Sequence, residues 1–385
     1  MITREELESR EDRALAPCAA RSSRSLGRAH PEAEHPYRTR FQRDRDRVIH
    51  SAAFRRLEYK TQVFVTHEGD YYRTRLTHTI EAAQIARTLG RVLGLCEDLC
   101  EVVALAHDLG HTPFGHSGQD ALNECMKEHG GFEHNRQSLR IVEVLERRYP
   151  EFPGLNLTFE TRESIRKHSW NPAAAVEEGY RPAWAPLLEA QVADVADSIA
   201  YDAHDIDDGL KAGLLTEDRL SELELWRDAQ EEVEKRYGKG LRGRMRARQA
   251  VLHLINRIVT DAVEQTEQNL REARVDSVEK VRASRGLLVR FSAGMERKKK
   301  KLEAFLHENV YRDHRVLMMQ EKAARFIRAL FETYVSNVAQ LPPRFRAWAD
   351  EAGVHRAVAD YIAGMTDRYA QGEYKKLFHP FEHIL

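Results

Sequence analysis

Cysteine is scarce: Cys18, Cys96, Cys100 and Cys125 are the four in 385 residues, and no two stand in CxxC spacing. No apolar run approaches the ~18–20 residues that a membrane span needs. The N-terminus, Met1-Ile-Thr-Arg-Glu-Glu-Leu, is charged from its fourth residue and lacks an apolar core for export. These absences predict an unexported, cytoplasmic chain without membrane contact, whose cysteines are reduced and structural. Net charge is also missing. Sixty basic residues face 61 acidic ones, so whole-chain charge does not mark a nucleic-acid binder. No GxxxxGK[ST] loop occurs, which excludes P-loop phosphate chemistry. Strand-rich stretches and fixed-period repeats are lacking as well.

What the chain does have is a globular composition, 42% hydrophobic and 31% charged, in helical patterns. Residues 1–50, polar and rich in Arg and Ser, are expected to be largely loop with a short helix near Glu5–Arg13. Leu76, Ile80, Ala83 and Ala86 recur at helical spacing in a segment for which Gly90 is the expected C-cap. A second apolar helix runs from about Cys96 to Asp108 and breaks at Leu109-Gly110. Loops are expected at Tyr149–Asn156 and Trp170–Trp184, where Pro and Gly gather. Leu188–Leu210 forms a helix with Val192, Val195, Ala196, Ile199, Ala203 and Ile206 as its buried stripe. Further helices are expected at Glu217–Tyr237, Met245–Arg274, Gly294–Asn309, Val316–Ala339 and Gly353–Gln371. The fold class is therefore all-α, a multi-helix bundle. Its divisions are a polar segment 1–50, a motif-rich core 51–212 and a C-terminal helical region 213–385 packed on that core.

Chemistry concentrates in His107-Asp108-Leu-Gly-His111-Thr-Pro-Phe-Gly-His116. A His-Asp pair at a helix end offers an imidazole nitrogen and a carboxylate oxygen, donors that a divalent transition metal takes. A His-Asp dipeptide alone is weak evidence. Three histidines around a turn-rich break within ten residues are harder to explain as packing. Other helices offer further donors. His78 lies on an amphipathic helix with Arg75 one turn before it. Asp197, Tyr201 and Asp205 stand at i, i+4 and i+8, in a row that borders the apolar stripe. Spacing alone does not separate Asp197 from Asp194, and a solvated acidic face explains that row equally well. Elsewhere, Arg38–Lys60 carries eight basic residues against three acidic ones, and Arg297–Lys301 is a basic run best explained as a solvated helix face.

The order His78, His107-Asp108, Asp197 resembles the H…HD…D signature of the HD superfamily. Longer words are similar to its deoxyguanosinetriphosphate triphosphohydrolase branch. They are Phe54–Gln62, Arg75-Leu-Thr-His78-Thr, HDLGHTPFGH, Phe132–Ser138, Glu189–Tyr201 and Asp360–Asp367, so the resemblance extends over most of the chain. It implies an all-α HD domain and hydrolysis of dGTP, or of deoxynucleoside triphosphates generally, to deoxynucleoside and inorganic triphosphate. It assigns His78, His107, Asp108 and Asp197 to one divalent transition metal (Mn, Fe, Co, Ni or Zn), with Mg accompanying the triphosphate. His116 and His111 match active-site histidines, His116 as the acid for the leaving group. Arg75 and His134 match α-phosphate contacts, while Gln62, Tyr201 and Asp205 match residues that hold the deoxyribose. Family members are commonly homo-oligomers. A single-stranded nucleic acid or an activating nucleotide bound elsewhere completes the set of partners.

One position departs from the family. An acidic residue usually follows the His116 match by three, placed to pair with it, and here that residue is Gln119. Two other readings stay open. One is an HD phosphohydrolase of nucleoside monophosphates or signalling nucleotides, although HDLGHTPFGH fits those branches poorly. The other is a nucleotide- or polynucleotide-sensing protein with weak hydrolysis, favoured slightly by Gln119 and the basic segments.

Overall fold

The computed structural model describes residues 1–62, 73–171 and 177–380. Among them stand eighteen α-helices and no strand, only isolated bridges such as Arg28 with Thr158. The chain divides into two compact units. One comprises Met1–Val48, His78–Leu105 and Asn156–Asp313, and the other Ile49–Thr77, Ala106–Leu155 and His314–Leu385.

In the first unit the organising element is the helix Leu188–Lys211. The expected stripe, Val192, Val195, Ala196, Ile199, Ala203 and Ile206, is buried. It packs against Gly243–Glu272, which turns Ala250, Leu254, Ile258 and Ala262 inward at helical spacing. Glu224–Tyr237 covers the same long helix with Leu225, Trp226, Ala229 and Val233. Each large side chain so buried contributes ~1.5–3 kcal/mol, which is why charged helices of this length hold together.

The second unit is built on His314–Ser336. Ile327, Leu330, Phe331 and Tyr334 meet Leu122 of Gly115–Cys125 and Val358 and Ile362 of Val354–Ala363 in one apolar cluster. Thr366 caps the next helix, Asp367–Phe378, by accepting from the Tyr369 amide at 3.2 Å. The stretch expected as one helix from Gly353 to Gln371 is therefore two, broken at Gly364-Met365-Thr366.

Several other expectations need correction. Residues 1–50 are less loop-like than their composition suggests, because Arg40–Ile49 is a helix. Its charges conceal a stripe: Phe41, Asp44, Arg47 and Val48 are all buried. Glu217–Tyr237 breaks after Leu220 and resumes at Glu224. The Arg297–Lys301 run is not simply a solvated face, since Lys299 is buried beside Asp202 and Lys298 pairs with Glu224 and Asp228 at 2.8 Å each. Part of the Trp170–Trp184 loop, residues 172–176, lies outside the described residues.

Gly90 is not a C-cap either. Its helix, Arg75–Val92, runs through it, and a Cβ at Gly90 would come 2.8 Å from Cys100 Sγ. The glycine is there for close approach of two helices, and buried Cys100 is the small residue opposite. Gly90→Ala should therefore destabilise by ~1–3 kcal/mol through overpacking, despite alanine's better helix propensity. Adding Cys100→Ala should restore most of the loss. Thermal melts of the three proteins check this, and equal destabilisation in the single and double variants would refute the contact.

Candidate functional site

In the second unit the word HDLGHTPFGH forms a tight loop between two helices. Ser138 Oγ donates to the His107 carbonyl at 3.0 Å and accepts from the Gly110 amide at 2.8 Å. No side chain fits at Gly110, where a Cβ would lie 2.1 Å from the His134 carbonyl oxygen. Phe114 takes a left-handed conformation, φ 63°, which costs energy for a bulky residue and needs a compensating anchor. Asp367 supplies it: one carboxylate oxygen accepts from the Phe114 amide at 2.9 Å, the other from the Thr61 amide at 2.9 Å and from its hydroxyl. Buried Lys60 donates to the His111 carbonyl at 2.5 Å and the Ala363 carbonyl at 2.9 Å.

This scaffold presents a dense polar cluster. Asp108, 3% exposed, takes Arg75 Nη1 at 2.9 Å on Oδ2. Its Oδ1 stands 3.3 Å from His107 Nε2 and 3.1 Å from His111 Nδ1, the latter too poorly aligned for a hydrogen bond. Burial pushes the Asp108 carboxyl up, yet His107, Arg75 and His111 together hold it well below the usual carboxylate range. Burial, Arg75 and His134 push His111 well below its ordinary value, against the pull of Asp108. Three imidazoles gather here: the His111 ring lies 4.1 Å from His134 and 5.4 Å from His116, centre to centre. Among the described residues, buried Gln62 Oε1, Arg75 Nε and His111 Nε2 have no hydrogen-bond partner. Such orphans are uncommon in a protein interior, and each calls for a partner such as water or a ligand.

Gln119 does not take up the role its position suggests. Its side-chain oxygen lies 2.7 Å from His134 Nδ1 and accepts from the His134 amide at 3.1 Å. The amide thus orients His134 rather than His116, which is exposed at the start of the same helix.

In the first unit the Leu188–Lys211 helix carries the second set. His78 Nε2 lies 2.8 Å from Asp197 Oδ1, and His78 Nδ1 lies 3.0 Å from His204 Nδ1. His168 stands between two carboxylates, 2.5 Å from Asp194 and 3.6 Å from Asp197. Burial opposes its protonation, but the two aspartates hold it well above its ordinary value. Asp194 is thus engaged by His168, while Asp197 faces His78. Further along the row, Tyr311 OH bridges Tyr201 OH, at 2.8 Å, and the Asp205 carboxyl. Burial raises that carboxyl well above the usual range, although the Tyr311 bond works against it.

Sequence reasoning passed over His168, His204 and Tyr311. His204 stands one residue before Asp205 and was hidden among seven neighbouring aspartates and tyrosines. His168 and Tyr311 lie far from the motif words, and only the fold brings them to the row. Lys60 and Asp367 sit inside words that were recognised, without a role attached to them.

Comparisons with known proteins place these residues in a family context. Residues 75–202 match the HD domain, and residues 289–376 match the phosphohydrolase-associated domain. The chain is 50% identical over 386 residues to a deoxyguanosinetriphosphate triphosphohydrolase-like protein of Geobacter sulfurreducens, covering 100% of both chains. A protein of the same description from Azoarcus is 52% identical over 368 residues, 94% of this chain and 96% of its own. One from Thiobacillus denitrificans is 52% identical over the same length, 94% and 97%.

Lys60 offers a direct test of the loop anchor. Burial, and then the Arg56 charge, push its amine down to about 7. A lysine with a lowered folded-state value binds fewer protons folded than unfolded between about pH 7 and the unfolded value of ~10.4. Its contribution to stability therefore rises with pH across that window. Relative to Lys60→Met, the wild-type protein should gain about 2 kcal/mol between pH 7 and pH 9. Urea unfolding of both proteins at the two pH values measures the difference. A constant gap would mean that the amine stays charged in the fold.

Proposed function

Given that the chain belongs to the HD-domain phosphohydrolases, in the deoxyguanosinetriphosphate triphosphohydrolase-like group, we propose that it hydrolyses deoxynucleoside triphosphates to deoxynucleoside and inorganic triphosphate. The observation that carries the reading is the cluster around Asp108. A fully buried carboxylate is kept ionised beside an arginine and two imidazoles, while three buried polar atoms nearby wait for a ligand. In this reading His78, His107, Asp108 and Asp197 hold one divalent metal. The donor chemistry fits: two imidazoles and two carboxylates are what a transition-metal ion takes when it keeps positions open. When bound, such an ion lowers the pKa of water and neutralises charge on a phosphate.

The chain's own residues supply the rest. Arg75, fixed by Asp108, directs a guanidinium edge at the α-phosphate, with His134 held beside it by Gln119. The new bond joins water oxygen to the α-phosphorus, and the bond that breaks is the one to the deoxyribose 5′ oxygen. That oxygen leaves with a proton given by His116, and the attacking water loses its own proton to solvent. Tyr201 and Gln62 hold the sugar, and Tyr311 fixes Tyr201 in place through the bridge to Asp205. A tyrosine held where a 2′-hydroxyl would stand excludes ribonucleotides by bulk.

Two measurements test this. Metal analysis should find about one divalent ion per wild-type chain and little in Asp197→Ala, because one of four donors is lost. Undiminished metal in that variant would transfer the role to another carboxylate. A product assay over the four deoxynucleoside triphosphates should show inorganic triphosphate, and Tyr201→Ala should reduce discrimination against GTP by ~1–3 kcal/mol. Tyr311→Phe should move the same way by less. Release of orthophosphate or pyrophosphate in place of triphosphate would refute the reaction.

A further inference from the structure

Two helices of the first unit meet at His78, and each brings a pair of groups there. His78 and Glu81 stand one turn apart on Arg75–Val92, and Asp197 and His204 two turns apart on Leu188–Lys211. Seven residues return a side chain to almost the same face of a helix with 3.6 residues per turn. The result is a continuous run from a carboxylate through two rings to a second carboxylate. Asp197 Oδ1 lies 2.8 Å from His78 Nε2, His78 Nδ1 lies 3.0 Å from His204 Nδ1, and His204 Nε2 meets Glu81 Oε2. Both imidazoles are buried, whereas Asp197 is half-buried and Glu81 is exposed. The two rings do not stack. Their planes stand at 82°, with centres 5.1 Å apart.

The contact between the two Nδ1 atoms dictates where protons go. A neutral imidazole has one N–H and one lone pair, and two nitrogens in hydrogen-bond contact need one proton between them. For His78 to give a metal ion the lone pair of Nε2, its proton must be on Nδ1. His204 Nδ1 must then accept. The His204 proton is consequently on Nε2, where the Glu81 carboxylate accepts it. The reverse order would set the lone pair of a neutral His204 against that carboxylate. Each neighbour thus selects the same tautomer of His78, the one whose Nε2 is open on the side of Asp197. Histidines that bind metals commonly donate their other N–H to a carboxylate, a carbonyl or water, which fixes the ring and strengthens the donor. Here an imidazole stands in that place, with the carboxylate behind it.

We propose that His204, backed by Glu81, is a positioning residue for the metal centre. It accepts the Nδ1 proton of His78 and holds that ring with Nε2 toward the ion, touching neither ion nor substrate itself. The inference rests on the reading of His78 as a metal ligand and adds the device that orients it.

Titration of the metal-stripped full chain with Co(II), followed by the visible absorption of the bound ion, tests this. His204→Phe keeps a ring and removes the acceptor, and should weaken Co(II) binding by about 10–100-fold. His204→Asn puts a carbonyl oxygen close to where Nδ1 stood and should recover most of that loss. Glu81→Ala, at an exposed position, should weaken binding by less than His204→Phe. A role in packing alone would give the opposite order, since phenylalanine fills the space and asparagine does not. His204→Phe binding Co(II) as tightly as wild type would therefore overturn the proposal, whatever the melting temperatures of the metal-free proteins. If His204→Phe fails to fold, Glu81→Ala decides, and wild-type affinity in that variant overturns the proposal. Wild-type protein that takes up no Co(II) would overturn the metal centre as well. Tight binding by the wild type with undiminished binding by the variants would overturn the positioning role alone.

Discussion

The ion pair between Arg75 and Asp108 is the constraint on which the rest of the second unit's chemistry depends. Both side chains are almost wholly buried, and burying either alone costs several kcal/mol. Each is tolerable only because the other is there at 2.9 Å. The pair in turn explains the loop that follows. Asp108 must sit at the end of the Glu97–Ala106 helix to meet Arg75, so the chain has to turn at once. Gly110 and the left-handed Phe114 accomplish that turn, and Asp367, Lys60 and Ser138 hold it. A strained residue with three separate anchors belongs to a segment whose geometry matters more than its own stability.

The same logic runs along the Leu188–Lys211 helix in the first unit. A single row presents Asp194, Asp197, Tyr201 and Asp205 every three or four residues, and each finds its own partner. His168 engages Asp194, His78 engages Asp197, and Tyr311 joins Tyr201 to Asp205. The partners differentiate residues that are chemically equivalent in the sequence. Asp194 is tied to a histidine held protonated. Asp205 is pushed toward its neutral form. Asp197 faces His78, an imidazole that is itself a metal-ligand type.

Much of this was legible beforehand, and what was not had physical reasons. Helix positions followed from apolar spacing, and the stripe from Val192 to Ile206 is buried as expected. Arg40–Ile49 escaped notice because its buried face includes Asp44 and Arg47, which mimic a solvated segment. Gly90 misled because a helical glycine signals an end or a close contact, and only the position of Cys100 decides which. The words around His78, His107 and Asp197 could be recognised, since they are short and contiguous. Tyr311 and His168 could not, because nothing local distinguishes a residue whose role is created by a contact more than twenty positions away. Gln119 shows the limit from the other side: its position was noticed, and its partner was not the one its spacing implied.

Charge gives the clearest case of a sequence feature that only the fold interprets. The basic surplus of Arg38–Lys60 is one run in the sequence but two different things in space. Arg38, Arg40, Arg43, Arg45 and Arg47 each pair with a carboxylate, Asp46, Glu34, Glu32 or Asp98, within the first unit. Their surplus is consumed locally and says nothing about a ligand. Arg56, nine residues on, is left without such a partner and is joined by Arg147 and Arg344 from distant parts of the chain. Neutrality over the whole molecule is thus compatible with arginines that lack an ion-pair partner in one place and are fully paired in another, because pairing is decided by neighbours and not by totals.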